Sequence, residues 1–199
     1  MNIIGIDLSA KEKNQTGICI LNNEGINFDT VYSNKDIYEL TRSEHPSLIV
    51  IDAPLSLPKG RCCLEKECEC AVGGHFRQAE RDIRKYGRVL PLTFKGMKML
   101  TLRGINLSSK LKKDFNVIES HPNTSLKILG YKNPMELLKL FNVQSDLNEH
   151  ELDASILAIT GYLHINKCSL ELGDKTEGTI IIPDPSNCQD MLKSLHKLF

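Results

Sequence analysis

Asn2-Ile3-Ile4-Gly5-Ile6 is rich in β-branched residues, lacks polar alternation and stops at an acid, Asp7. A short run of this kind suits a central strand covered on both faces, which delivers Asp7 to the strand end. Gly5 fits where a neighbouring backbone or helix comes close. A lone Asp after a strand ordinarily starts a turn, but here the pattern recurs. Pro46-Ser47-Leu48-Ile49-Val50-Ile51-Asp52-Ala53-Pro54 is a second such run, and Phe115-Asn116-Val117-Ile118-Glu119 is a third.

Thr16 to Leu21 and Ile26 to Tyr32 read as the second and third strands, joined by a hairpin turn at Asn22-Asn23-Glu24-Gly25. Ser33 to Glu44 reads as a helix capped by Ser33-Asn34. A strand entering after a helical crossover lies parallel to the first, so Asp7, Asp52 and Glu119 are expected at one sheet edge. Pro54 and Pro58 restrict the loop leaving Asp52. His121-Pro122 closes the turn after Glu119, and a short helix from Asn123 to Gly130 follows, capped by Asn123 or Thr124.

The strongest helix spans Asn148 to His164, opened by an Asn-x-x-Glu capping pattern and burying Leu152, Ile156, Ile159 and Leu163. His150 and Asp153 are three apart and neighbours in its first turns. The helix dipole alone accounts for an Asp there; a fourth acid reaching the strand edge is the competing reading. Thr179 to Pro183 reads as a late edge strand, and Gln189 to Leu198 as a last amphipathic helix. These elements predict an α/β fold spanning 1–199, with a mixed five-stranded sheet of three antiparallel strands followed by two parallel ones.

The formal net charge is zero, which alone argues against nucleic-acid binding, but its distribution is uneven. Between Lys59 and Lys113 fourteen Lys and Arg stand against five Asp and Glu, giving +9 there and −9 elsewhere. A basic insert over 59–113 in an acidic scaffold is expected where one region holds a polyanion and another supplies carboxylates. Phe76 to Arg88 reads as a helix with Arg77, Arg81, Arg84 and Arg88 on one face, Glu80 pairing with Arg84 and Asp82 with Lys85. With Lys95, Lys98 and Arg103, these cations exceed the local acids and favour an anionic ligand, against the alternative of a solvated face.

The same segment carries Cys62, Cys63, Cys68 and Cys70, followed by His75. That set has enough ligands for Zn²⁺ or an iron–sulfur cluster, without the Cys-x-x-Cys spacing that identifies one; reduced thiols are the other reading. Cys19, Cys168 and Cys188 read as small hydrophobes. The first apolar run is too short for a signal peptide and no run is long enough to span a bilayer, so a cytoplasmic protein with reduced thiols is expected.

IGIDLS, IDAPLSLP, FRQAERDIR, VIESHPNTSLKILG and HELDASILAITGYL, in this order, resemble the uncharacterised family of predicted nucleases of RNase H-like fold, the domain of unknown function 429 family. The first and last resemble, more distantly, RuvC-type Holliday-junction resolvases. The resemblance implies an RNase H-like fold and a metal-dependent nuclease, with the late helix pointing its acid at the first strand's edge. Asp7, Asp52 and Asp153, with Glu119 as a fourth, would then hold two Mg²⁺ or Mn²⁺ ions for phosphodiester hydrolysis, since hard cations take oxygen ligands. His121 and His150 would support them. His150 departs from the resolvase pattern, which often has an acid there. A non-catalytic nucleic-acid or partner-binding module of the same fold is the alternative. An actin-like sugar kinase is disfavoured by the short chain and the lack of a Gly-rich phosphate loop.

Overall fold

The computed structural model describes residues 1–65, 67, 71–143, 146–186 and 192. The main sheet is built from β1 (Ile3–Asp7), β2 (Thr16–Asn22), β3 (Gly25–Val31), β4 (Leu48–Ile51) and β5 (Val117–Glu119), in the order β3-β2-β1-β4-β5. β1, β2 and β3 are antiparallel neighbours, whereas β4 and β5 run parallel to β1. This is the mixed α/β sheet expected from the sequence, three antiparallel strands followed by two parallel ones. The remaining elements are helices α1 (Asn34–Glu44), α2 (Gln78–Ile83), α3 (Lys95–Leu111), α4 (Pro122–Ile128), α5 (Pro134–Leu138) and α6 (Glu149–Ile165), and strands β6 (Ser169–Asp174) and β7 (Gly178–Pro183).

The period of two along β1 and β4 divides their side chains between two layers. Ile4, Ile6, Ile49 and Ile51 pack with Ile37 of α1 and with Leu107 and Leu111 of α3. Ile3, Leu48 and Val50 pack with α4, α5 and α6. Because both faces are covered, these strands carry no polar residue before their terminal acids. α3 thus belongs to the main core, although its sequence falls within the basic segment 59–113.

α6 is buried continuously from Ala154 to Leu163, more completely than one amphipathic face requires. It lies so close to the sheet that a Cβ on Gly5 would collide with the Ala154 carbonyl, and one on Gly17 with the His150 carbonyl. The N-terminal half of the helix is thereby held against the ends of β1 and β2. Asn148 caps it as expected, its side chain accepting from the Glu151 amide at 3.0 Å.

Two local readings need correction. Thr179 to Pro183 does not join the main sheet; β7 pairs with β6 in a separate hairpin, tied to the end of β5 by a single parallel bridge from Ser120 to Ile181. The helix expected over Phe76 to Arg88 covers only Gln78–Ile83, because the amides of Tyr86 and Gly87 turn back onto the Ile83 carbonyl. Ala79 and Ile83 of α2 pack on Leu172, Ile180 and Ile182 of the hairpin in a third small core. The expected terminal helix, Gln189 to Leu198, and Cys188 fall largely outside the described residues, where Leu192 alone is described, as buried.

Candidate active site

Asp7 ends β1 on the same side as Gly5, hence toward α6. Asp52 stands one step past the Ile6–Ile51 pair, its amide donating to the Ile6 carbonyl at 3.0 Å. Asp153 comes from the second turn of α6, whose approach is set by Gly5 and Gly17. His150, one turn earlier, places Nδ1 2.6 Å from Asp7 Oδ2. A strand end, a loop and a helix start therefore meet at one edge of the sheet.

The acids sense one another through a poorly solvated medium. Burial pushes Asp52 well above the ordinary carboxylate range, and the charges of Asp7, Asp153 and Glu119 push it further the same way. Burial also raises Asp7, against the lowering effect of its bond to His150. Asp153 rises to about 6, through burial first and the Asp7 charge second, with His150 opposing. Such a group retains protons or attracts cations. Among the described residues, however, no three or more His, Cys, Asp and Glu side chains stand close enough to hold a metal ion as they are placed.

Glu119 differs from the three aspartates. It pairs in register with Ile51, and Val117, two residues before it, packs with the α1 and α3 layer while Ile118 faces α6. Alternation thus turns Glu119 away from α6. There it accepts from Arg77 Nη1 at 2.9 Å, from the Leu55 amide at 2.9 Å, and from Arg77 Nη2. Arg77 also binds both oxygens of Glu80 and donates to Ser56 Oγ at 2.8 Å. Arg77 is 0 % exposed, Glu80 3 % and Glu119 5 %. Burial raises the Glu119 carboxyl and Arg77 opposes it, while the two glutamates keep the guanidinium firmly charged.

The four-arginine face expected from the sequence therefore does not form. Arg77 is internal, and Arg84 stacks over the Phe76 ring, 3.9 Å from its centroid. Glu80 pairs with Arg77 instead of Arg84, and Asp82 accepts from Gln78 and from the Gly173 amide instead of from Lys85. Arg81, Arg84, Arg88 and Lys95 are exposed, whereas Lys98 pairs with Glu65 at 2.6 Å. Arg103 is also turned inward, donating to the Ser9 and Tyr32 carbonyls and bracing the loop after β1. The periodicity of basic residues gave no sign of these inward turns; the Arg77-x-x-Glu80 spacing was the available signal.

His121 caps α4, its Nδ1 accepting the Thr124 amide at 3.2 Å in place of the expected Asn123 or Thr124 cap. In the cysteine-bearing segment, Cys62 is disulfide-bonded, which corrects the expectation of reduced thiols there. His75 shares a hydrogen bond with Thr93 Oγ1 at 2.8 Å. Cys63 is described, but Cys68 and Cys70 lie outside the described residues.

Protonation of Asp153 gives a direct check on the burial and neighbouring charge that raise its carboxyl. Asp153 holds its proton to about pH 6 when folded, above its ordinary 3.8, so the native state binds the extra proton between those values. Stability contributed by a raised carboxyl is present below the unfolded pKa and lost as pH rises through the folded one. In EDTA, Asp153→Asn is expected to match wild type near pH 3 and to exceed it at neutral pH by about 2 kcal/mol, a figure reduced for solvent screening of a partly exposed group. Paired thermal melts across pH measure this, and a difference independent of pH would mean that the folded protein does not raise Asp153.

No family profile and no curated protein matches the chain. Among solved structures, it is similar to T. thermophilus RuvC in complex with Holliday junction substrate. The likeness has 11% identity and a TM-score of 0.49, and covers 90% of this chain and 99% of that one. Among the described residues, no helix is long and apolar enough to cross a membrane.

Proposed function

We propose that this chain is a nuclease of RNase H-like fold, of the domain of unknown function 429 family, which hydrolyses phosphodiester bonds with divalent cations held by Asp7, Asp52 and Asp153. The observation that carries the reading is the delivery of Asp7, Asp52 and Asp153 by β1, the loop after β4 and α6 toward one sheet edge, where the charges of Asp7 and Asp153 raise Asp52. A fold does not accumulate buried like charges for stability, and groups whose pKa values are so perturbed mark functional sites. Oxygen donors with excess negative charge suit Mg²⁺ or Mn²⁺. When bound, such ions lower the pKa of an attacking water and neutralise charge at the leaving oxygen.

The protein's own contribution is to hold the acids and the strand. His150 fixes the orientation of Asp7. Glu119 serves from behind, since its oxygens hold the Leu55 amide and Arg77 and so anchor the loop that leaves Asp52. Arg81, Arg84, Arg88 and Lys95, all exposed, would contact the phosphate backbone and carry little sequence information.

The test is cleavage of labelled single-stranded, duplex and branched DNA and of RNA, in Mg²⁺, in Mn²⁺ and in EDTA. Metal-dependent products from at least one substrate are expected. A panel left intact in both metals would overturn the reading in favour of a binding module.

A further inference from the structure

A cavity of about 200 Å³ opens beside Asp52, between the sheet edge and the segment joining α2 to α3. Leu90, Met97 and Leu100 give it apolar walls, while Asp52, His121 and Arg88 bring polar groups to it. The ring of His121 is held in one tautomer. Its Nδ1 accepts the Thr124 amide, so the proton sits on Nε2. The lining therefore combines a fixed N–H donor, the carboxyl groups of Asp52, Glu80 and Glu119, and an apolar surface.

The volume is below the roughly 300–1,000 Å³ of clefts that take drug-sized ligands, which suits a single ring system. Apolar walls with a few hydrogen-bonding groups are how proteins hold a base removed from its stack. Asp52 belongs to both the cavity and the carboxylate group, so an occupant attached to a phosphate at the acids need only be an adjacent nucleotide. Arg88 is exposed and can meet the backbone of that strand.

We propose that this cavity receives one unpaired nucleobase of the strand whose phosphate lies at Asp7, Asp52 and Asp153, so that the preferred substrate carries an unstacked nucleotide beside the scissile bond. The inference rests on the nucleic-acid reading above but is tested without catalysis. With Ca²⁺ in place of Mg²⁺, fluorescence anisotropy compares duplexes containing a one-nucleotide bulge with the same duplexes carrying an abasic sugar at the bulge, in DNA and in RNA. Wild type is expected to bind the base-bearing bulge about tenfold more tightly, within the range measured for a single base–side chain stack.

Met97→Trp and Leu90→Trp fill the cavity from two of its lining positions, and both are expected to bring the ratio close to one without weakening abasic binding. Leu90 is 41% exposed, so its replacement leaves the core untouched and covers the case in which the Met97 variant misfolds. A wild-type ratio of one, or a ratio that survives both substitutions, overturns the base pocket, as does failure to bind either duplex. A tenfold ratio abolished by the variants, together with no cleavage in either metal, would refute the nuclease reading alone and leave the pocket standing.

Discussion

Asp7→Asn is expected to lower metal-dependent cleavage by roughly 10²–10³-fold or more, the scale on which a single group stabilising transition-state charge acts. The fold should survive unharmed. Asp7 is a carboxylate raised by burial, and its charge raises Asp52 and Asp153 in turn. The neutral amide removes that repulsion, keeps an oxygen for His150 and has nearly the same shape. Without metal, the variant should therefore melt at or above the wild-type temperature at neutral pH, as expected where an active site trades stability for function. Addition of Mg²⁺ should raise the wild-type melting temperature more than that of the variant, because ligands that bind only the native state stabilise it. Wild-type turnover in the variant would show that Asp7 takes no part in the chemistry. A variant that is inactive and less stable would instead make Asp7 a structural acid.

The placement of Asp7 and Asp52 after neighbouring parallel strands was legible because strand periodicity is a short-range property. An uninterrupted β-branched run fixes where Asp7 and Asp52 emerge, and a helical crossover fixes that β1 and β4 run parallel. Gly5 also foretold the close approach of α6 that carries Asp153 in. Glu119 shows where this reasoning fails. Its run ends on an acid as the others do, but its register with Ile51 turns it to the opposite face, and register is settled by pairing between distant segments. Arg77 fails for another reason. A basic residue every three or four positions reads as an exposed stripe, and only the β6–β7 hairpin, whose first strand was not recognised in the sequence, reveals that the start of α2 faces inward. His150 lay in view beside Asp153, but its bond to Asp7 spans 143 residues and had no local signal.

Arg77→Met is expected to cost about 3–5 kcal/mol, the usual penalty for removing one partner from a buried ionic group. Two glutamates, 3 % and 5 % exposed, would lose their shared cation, and Ser56 Oγ would lose its donor. In a domain of this size, the melting temperature should fall by roughly 10 °C or more. The loss should depend on pH with a definite sign. Burial already raises Glu119, and without Arg77 to oppose it the carboxyl would bind its proton more tightly still when folded, so the deficit is greatest at neutral pH and shrinks as pH falls toward 4.5. Arg77→Lys keeps the charge but loses the planar fork that reaches both glutamates, and should fall between wild type and Arg77→Met. Arg84→Ala serves as the contrast, because its guanidinium is exposed over Phe76 and its loss should cost no more than about 1 kcal/mol. Chemical denaturation of all three variants at two pH values separates a buried clamp from a surface stripe. Equal, small losses for Arg77→Met and Arg84→Ala would return Arg77 to the surface and leave the loop after Asp52 without its anchor.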